Sequence, residues 1–600
     1  MNATVLLAAL LAIPAAAAPA LANGAALKGP HVFAFPASGT RTADAQTHPR
    51  RAFATPGDVG TANDVTADPL VSRPAEAPCV ATLFSGATFA TYGPQAFAYA
   101  PPAGCPGPYA KIVFNGDFSV SAGRQFDRTA SIEIGNVPIF FGTTAEPRST
   151  LSPTWHLERD MTDDAALLGR PQSGEADIFN IVNATYTGVI GGTAYLQFYP
   201  ARGRFAAAET PDVVMPLPGL AGGPQHLDTG SSTLSATYTL PQNVDRAYLD
   251  VYAQGQQNDE FFYTCAPNVI AAQLFTCGNG PLRETEVSID GVPAGTAPVT
   301  PYIFTGGIDP YLWAPIPGVE TLELRPYRVV LTPFAGLLAN GKPHVIALSV
   351  DNADAYFQGF ATLFAYRDRG VTRITGGVLR NTLVANPAPS VVERLGGASP
   401  SVDGTIAVTS RRAYAIAGYV VGSAGRTDTT LDAELEFGNK QTYANESATT
   451  GTTTILQRTT ADTRVTTFER GAARFERGYV SYPLSLQIAT VLDRTGTGTQ
   501  TTSVDQHVIR ASVTNGSAGL AGHYDSNRVM SVDTLDIGNG SSITGHTGMT
   551  SSQRYDAAGL EGGCYSQTIR AADGRLTSVS NAPCDRAASQ DLRSLTRGSR

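Results

Sequence analysis

Apolar and polar residues alternate along many short stretches of this chain, and long amphipathic helical stretches are missing. In Thr129-Ala-Ser-Ile-Glu-Ile134, Ala130, Ile132 and Ile134 fall on one side while Thr129, Ser131 and Glu133 fall on the other. That period of two predicts a half-buried strand. Arg246-Ala-Tyr-Leu-Asp-Val251 alternates in the same way, and Val287-Ser-Ile-Asp-Gly291 ends in an Asp-Gly turn. Past about residue 371 the composition shifts towards Thr, Ser, Arg and Gly, yet TLDAELEFGN, GYVSYPLSLQIATV and QHVIRASV still alternate. The pattern predicts an all-β protein with many turns.

Two segments repeat one plan. SIEIGNVPIFFGT followed by HLERDMTDDAALLG matches EVSIDGVPAGTAP followed by PYRVVLTPFAGLLANG. Each offers a strand, a Gly-Val-Pro turn, a return strand, and a later strand before a Leu-Leu turn. An aromatic–acid pair lies upstream of each: Phe126-Asp127 in the first, Glu260-Phe261 in the second. Two like sandwiches would then present one acid each at equivalent loop ends, able to face a shared cleft. The Pro/Gly-rich PDVVMPLPGLAGGPQ (211–225) reads as a hinge between them.

Composition sets the outer limits. Six hundred residues are too many for one core, so two to four domains are expected. A net charge of −9 with scattered acids argues against a nucleic-acid partner. The start, MNATVLLAALLAIPAAAAPALANGA, reads as a signal peptide over residues 1–22, which places the protein outside the cell or in a periplasm. No later stretch is long and apolar enough for a membrane span. Residues 23–75 read as a disordered pro-segment or linker, 76–210 as the first sandwich and 226–370 as the second. Residues 371–585 read as a C-terminal β-rich domain and 586–600 as a tail.

Six cysteines in an exported chain suggest disulfides, and nearest-neighbour pairing gives Cys79–Cys105, Cys265–Cys277 and Cys564–Cys584. No C-x-x-C or H-E-x-x-H spacing occurs, so neither a metal nor another cofactor is expected. A G-x-S-x-G elbow, a Walker loop and a dinucleotide fingerprint are also missing from the sequence.

The candidate chemistry rests on carboxylates. Asp127 beside Arg128 is either a surface ion pair or a group that orients and deprotonates water. In QQNDEFFYTC, Glu260 is pressed against Phe261 and Phe262, which should raise its pKa and keep it protonated in mild acid. Asp259 would point the other way, and a turn exposing both acids is the plainer alternative. Trp155 and Trp313, the only tryptophans, fit either a core or a sugar-stacking rim. His156, Glu158 and Asp160 share one face of a strand, and His156 is the strongest candidate among them.

PTWHLERDMTD, NDEFFYTC, SIDGVPAGTAPVTPYIFTGGIDPYLWAPI and LTPFAGLLANGKPH occur in this order, and together they resemble the peptide-N-glycosidase A family over roughly residues 79–368. A more distant likeness is to peptide-N-glycosidase F, which is built from two eight-stranded jelly rolls. The resemblance implies two packed jelly rolls as catalytic unit, with Asp127 as principal acid and Glu260 as the acid of the second domain. It implies substrate contacts from Arg128, Trp155, His156, Asn183, Asp259 and Trp313. The arginine that follows Trp-Ala-Pro in that relative is replaced here by Ile316-Pro317, and a third acidic position falls near Asn183. The implied activity is an acid-active amidase releasing intact glycans from N-glycosylated peptides or denatured glycoproteins. A glycoside hydrolase and a non-catalytic glycan-binding protein remain as alternatives.

Overall fold

The computed structural model describes residues 54–583, except 148–149, 203–204, 218–222, 229–231, 399–400, 446, 448, 517–518, 540–541 and 561–562. The expected signal peptide, the tail and Cys584 lie outside the described residues.

The first sandwich comprises β1 (Cys79–Phe89), β2 (Gln95–Tyr99), β3 (Tyr109–Val120) and β4 (Thr129–Ile134). It continues with β5 (Val137–Thr143), β6 (Thr154–Asp160), β7 (Gln172–Ile178) and β8 (Ile190–Pro200). One sheet has the order β1-β8-β3-β6 and the other β2-β7-β4-β5. Alternation sends Phe114, Phe118, Phe140 and Trp155 inward, where neighbouring rings stack with centroids 5.8–6.0 Å apart.

The second sandwich uses β9 (Val213–Leu217), β10 (Gln225–Asp228), β11 (Leu234–Tyr238), β12 (Val244–Gln256) and β13 (Glu284–Ile289). It ends with β14 (Val292–Pro298), β15 (Tyr327–Val330), β16 (His344–Asp351) and β17 (Tyr356–Arg367). Its sheets run β10-β17-β12-β15 and β11-β16-β13-β14, with β9 added beside β17. Raising every first-sandwich strand number by nine reproduces both orders, so the duplication read from sequence is a duplication of topology. The hairpins match too: Gly135-Asn136 and Asp290-Gly291 all have positive φ, as a two-residue turn with the twist of its strands requires. The segment read as a hinge is only partly one, because Val213–Leu217 hydrogen-bonds to Phe364 and its neighbours in β17.

The two sandwiches meet through Phe141, Tyr252, Tyr302, Phe304, Leu324 and Phe360. The pleat that turns Phe140 into its own core turns Phe141 into this interface. Arg328 of β15 completes the junction, donating to Asp250 at 2.5 and 2.8 Å and to Asp163 of the first sandwich at 2.9 Å.

The C-terminal domain is one antiparallel sheet of 11 strands between Thr375 and Asn581, several of them about 20 residues long. Along Gly425–Asn445, Leu431, Ala433, Leu435 and Phe437 are buried while Asp432, Glu436 and Lys440 are exposed. The buried face lies on the second sandwich, where Asn439 donates to Tyr263 O and Gln441 to Cys265 O, both at 2.9 Å. Residues 54–73, expected to be disordered, instead pack as a strap. Ala54 and Ala67 are buried, Ala67 N donates to Gln553 of the C-terminal sheet, and Val71 N donates to Glu158 of the first sandwich.

Candidate active site

Asp127 sits in the turn leading into β4. The β4–β5 register pairs Thr129 with Thr143, so the residues just outside the hairpin, 127–128 and 144–146, lie side by side. Arg128 N donates to Thr144 Oγ1 and Thr144 N returns a bond to Arg128 O, both at 2.9 Å. A third acid, Glu146, is thereby brought next to Asp127. Its own N–H donates to Thr305 Oγ1 of the second sandwich at 2.9 Å, and Thr305 Oγ1 donates on to Thr144 O.

The loop between β14 and β15 supplies the other wall. Gly306 N donates to Asp127 Oδ2 at 2.9 Å. A Cβ at position 306 would stand 2.1 Å from Glu146 Oε2 and 3.3 Å from Asp127 Oδ1, so both carboxylates close on a residue that has no side chain.

Glu260 arrives from the far side, on the short 3₁₀ segment Gln257–Thr264 that follows β12. The chain doubles back tightly here: a Cβ on Gly255 would meet Asp259 O at 2.0 Å. Gln254 and Gln256 reach across to Thr129 Oγ1 at 3.1 and 3.3 Å, fastening this end of β12 to the start of β4. Glu260 is half-buried. Burial holds its carboxyl well above the ordinary glutamate range, and the charges of Asp127 and Glu146 push it further in the same direction. The charges of acids on the first sandwich thus reach an acid of the second. Tyr263, fully buried three residues on, is raised by burial and by Glu260.

The remaining candidates divide sharply. Arg128 is at the site but turns its guanidinium to Gln125 Oε1 at 3.0 and 2.6 Å and lies over the rings of Phe126 and Tyr186. Asn183 lies in an exposed turn, where its Oδ1 accepts from Thr185 N and Tyr186 N and so sets the position of Tyr186. Asp259 cannot touch substrate. It is fully buried, accepting from Arg283 Nε at 2.7 Å, Asp354 N at 2.9 Å and Ala355 N at 2.7 Å. It braces the turn that presents Glu260.

Neither tryptophan offers a face to a sugar. Trp155 is 4% exposed against Phe118, and Trp313 is 1% exposed with Nε1 donating to Gly307 O. His156 is held by Asp117 at 2.6 Å on the outer face of β6, beside Glu158 and its partner Arg73. Burial lowers its pKa, but the hydrogen bonds and charges of Glu158 and Asp117 outweigh this and leave it raised. That is an ion network of the outer face of β6. Cys79–Cys105 and Cys265–Cys277 are bonded as expected, the second directly after the segment Gln257–Thr264 that carries Glu260. Among the described residues no group of three or more His, Cys, Asp or Glu side chains is placed to hold a metal ion.

Glu146 is the candidate residue that sequence reasoning missed. The Gly135-Asn136 turn alone would place positions 144–145 opposite 126–127; the irregularity between Ile132 and Glu133 moves the register by one and brings 145–146 there instead.

The family model described as peptide N-acetyl-beta-D-glucosaminyl asparaginase amidase A matches residues 69–365. A protein of Prunus dulcis, peptide-N4-(N-acetyl-beta-glucosaminyl)asparagine amidase A, is 30% identical over 397 residues, covering 63% of this chain and 68% of its own. Among solved structures, PNGF-II is similar with a TM-score of 0.34 and 11% identity, over 48% of this chain and 65% of its own. PNGase F, a glycosylasparaginase from Flavobacterium meningosepticum, is similar with a TM-score of 0.32 and 14% identity, over 49% of this chain and 97% of its own. Asp127, Glu146 and Glu260 all fall inside the region matched by the family model, and the chain belongs to the peptide N-acetyl-beta-D-glucosaminyl asparaginase amidase A family, hydrolases of carbon–nitrogen amide bonds.

Proposed function

We propose that the protein hydrolyses the side-chain amide joining Asn to the first GlcNAc of N-linked glycopeptides, working in mild acid. The observation that carries this reading is that Asp127 and Glu146 of the first sandwich close on Gly306 of the second, and supporting it is a Glu260 carboxyl raised by burial and by the charges of both acids.

The division of labour follows from charge. Asp127, fixed by Gly306 N, is the carboxylate that orients and deprotonates a water attacking the amide carbonyl. Glu260, with its raised pKa, hydrogen-bonds the carbonyl oxygen and delivers a proton to the departing nitrogen. Oxygen from water bonds to the carbonyl carbon, the C–N bond breaks, and nitrogen leaves with the sugar. The products are an Asp-containing peptide and a glycosylamine, which decays to free glycan and ammonia. Glu146, beside Asp127, supports the negative charge that keeps Glu260 protonated.

Phe126 and Tyr186, with ring centroids 5.3 Å apart, form the aromatic rim next to Asp127 and are the candidate surface for the sugar. The two disulfides support an exported protein. No helix among the described residues is long and apolar enough to cross a membrane.

The test is a defined glycopeptide incubated with the enzyme in heavy-oxygen water, followed by mass measurement of both products. The reading requires Asn to become Asp carrying one heavy oxygen, with both core GlcNAc residues on the released glycan. GlcNAc left on the peptide would make the protein a glycosidase instead.

A further inference from the structure

The C-terminal sheet lays the face of Leu431, Ala433 and Leu435 on the second sandwich, so the pleat turns Asp432 and Glu434 to its other face. On that face is an open hollow of about 450 Å³. Its size is that of a small-ligand site, roughly 300–1,000 Å³. It lies over the strand Ser401–Gly422, which presents Ala413 and Ala415 there between the long side chains of its neighbours.

Strand pairing builds the wall. Across Gly425–Asn445, Thr450–Glu469 and Ala472–Leu492, Asp432 stands opposite Arg464 and Arg464 stands opposite Arg477. Asp462, two residues before Arg464, shares the same face, and all four line the hollow. Two guanidinium groups are thus abreast, an arrangement that destabilises a sheet unless an anion offsets it. Arg477 is only 5% exposed. Burial holds its pKa below the ordinary arginine value, with Asp462 opposing and Arg464 adding to the effect. Arg464 leans away from Asp432. Its guanidinium lies over the Phe475 ring, 5.4 Å from the centroid, and its buried Nε has no hydrogen-bond partner among the described residues.

The rest of the lining is mixed. Arg380 adds a third guanidinium, and Glu434, already paired with Arg411, adds a third carboxylate. Three arginines against three acids give a polyanion no net attraction. Such a wall suits a ligand with one negative group among many hydroxyls. Arginine favours a carboxylate through its fork of N–H donors, and an ionised aspartate accepts from hydroxyls.

We propose that this hollow is a carbohydrate site for a sugar carrying a carboxylate, with Arg464 and Arg477 on the carboxylate and Asp432 on the hydroxyls. It shares no lining residue with the cleft of Asp127 and Glu260, and it does not rest on the amidase reading. A sugar of this kind has two sources: the terminus of an N-linked glycan, or an acidic polysaccharide.

Calorimetric titration of the full-length protein at about pH 6, where a sugar carboxyl is ionised, tests this with matched pairs. Sialyllactose against lactose represents the first source, and digalacturonate against digalactose the second. At least one acidic sugar should bind about tenfold or more tightly than its neutral partner, and the pair that shows this identifies the source. Arg464→Gln should abolish the preference. Arg464→Lys, which keeps the charge but not the fork, should restore only part of it. Asp432→Ala should weaken acidic and neutral sugars alike. Without ligand, Arg464→Gln should melt no lower than wild type, because one of two like charges is gone. Acidic and neutral sugars bound equally, or neither acidic sugar bound by wild type, would overturn the proposal. So would inorganic phosphate binding as tightly as the sugars, which would mark a bare anion site. An Arg464→Gln protein that melts lower while keeping its sugar affinity would make the arginine pair structural and overturn it as well. No arm reads glycan release, so a failure of the amidase reading leaves this result standing.

Discussion

The backbone N–H of Gly306, carried by the second sandwich, donates to Oδ2 of Asp127 on the first across a 2.9 Å gap. This bond joins the two halves of the duplicated unit at the point where chemistry is assigned, so each half supplies what the other lacks.

Replacing Gly306 tests the fit. In Gly306→Ala, the new methyl would meet Glu146 Oε2 at 2.1 Å, so the Glu146 carboxylate or the loop must move. A displacement of this kind should lower kcat by about 10²-fold. The melting temperature should change little, since the site is a cleft and not a core. Steady-state kinetics beside a thermal melt checks both expectations.

Glu260 should cost stability at neutral pH. Its folded pKa lies well above its unfolded value, so the folded state holds a proton that the unfolded chain releases. The stability it contributes is fully present below the ordinary glutamate value of 4.5 and is lost as pH rises through the folded pKa. Glu260→Gln should therefore match wild type in acid, exceed it in stability near neutrality, and release no glycan. Denaturant titration at two pH values reads the crossing.

Asp259 and Arg283 form the buried brace behind that acid, both with fully covered side chains. Burial holds the Asp259 carboxyl above its ordinary value, with Arg283 opposing. Arg283→Ala would leave a charge buried without its partner, and should cost about 3–5 kcal/mol in urea unfolding.

The tryptophans give a negative result to look for. Because Trp155 and Trp313 are closed off in the core and the loop, saturating a substrate analogue should leave acrylamide quenching of their fluorescence unchanged. A rim tryptophan would be protected.

Much of this architecture was legible in the sequence, for physical reasons. A period of two is a property of the strand itself, so Thr129–Ile134 and Arg246–Val251 were legible as strands, but not as half-buried ones: Ser131, Glu133 and Asp250 on the faces read as polar are buried as well. The duplication was visible because two-residue turns and Leu-Leu turns demand particular residues at fixed offsets. Asp127 and Glu260 stood out through the aromatic rings beside them. Glu146 did not, because TTAEPRST has no pattern of its own and gains its place only from pairing across the hairpin. Trp155 and Trp313 misled for the opposite reason: large rings suit a core and a sugar equally, and only packing decides. The strap over residues 54–73 was unreadable, because its few apolar residues bury against sheets hundreds of positions away.

The central claim is that acids from two sandwiches share one cleft and set each other's charge. The direct measurement is the pKa of the Glu260 carboxyl, followed by carbon NMR of selectively labelled protein, in wild type, Asp127→Asn and Glu146→Gln. The account predicts a value well above that of an ordinary glutamate in wild type, falling in both variants as each neighbouring charge is removed. A Glu260 that titrates identically in all three proteins would mean that the carboxyls do not meet, and would contradict it.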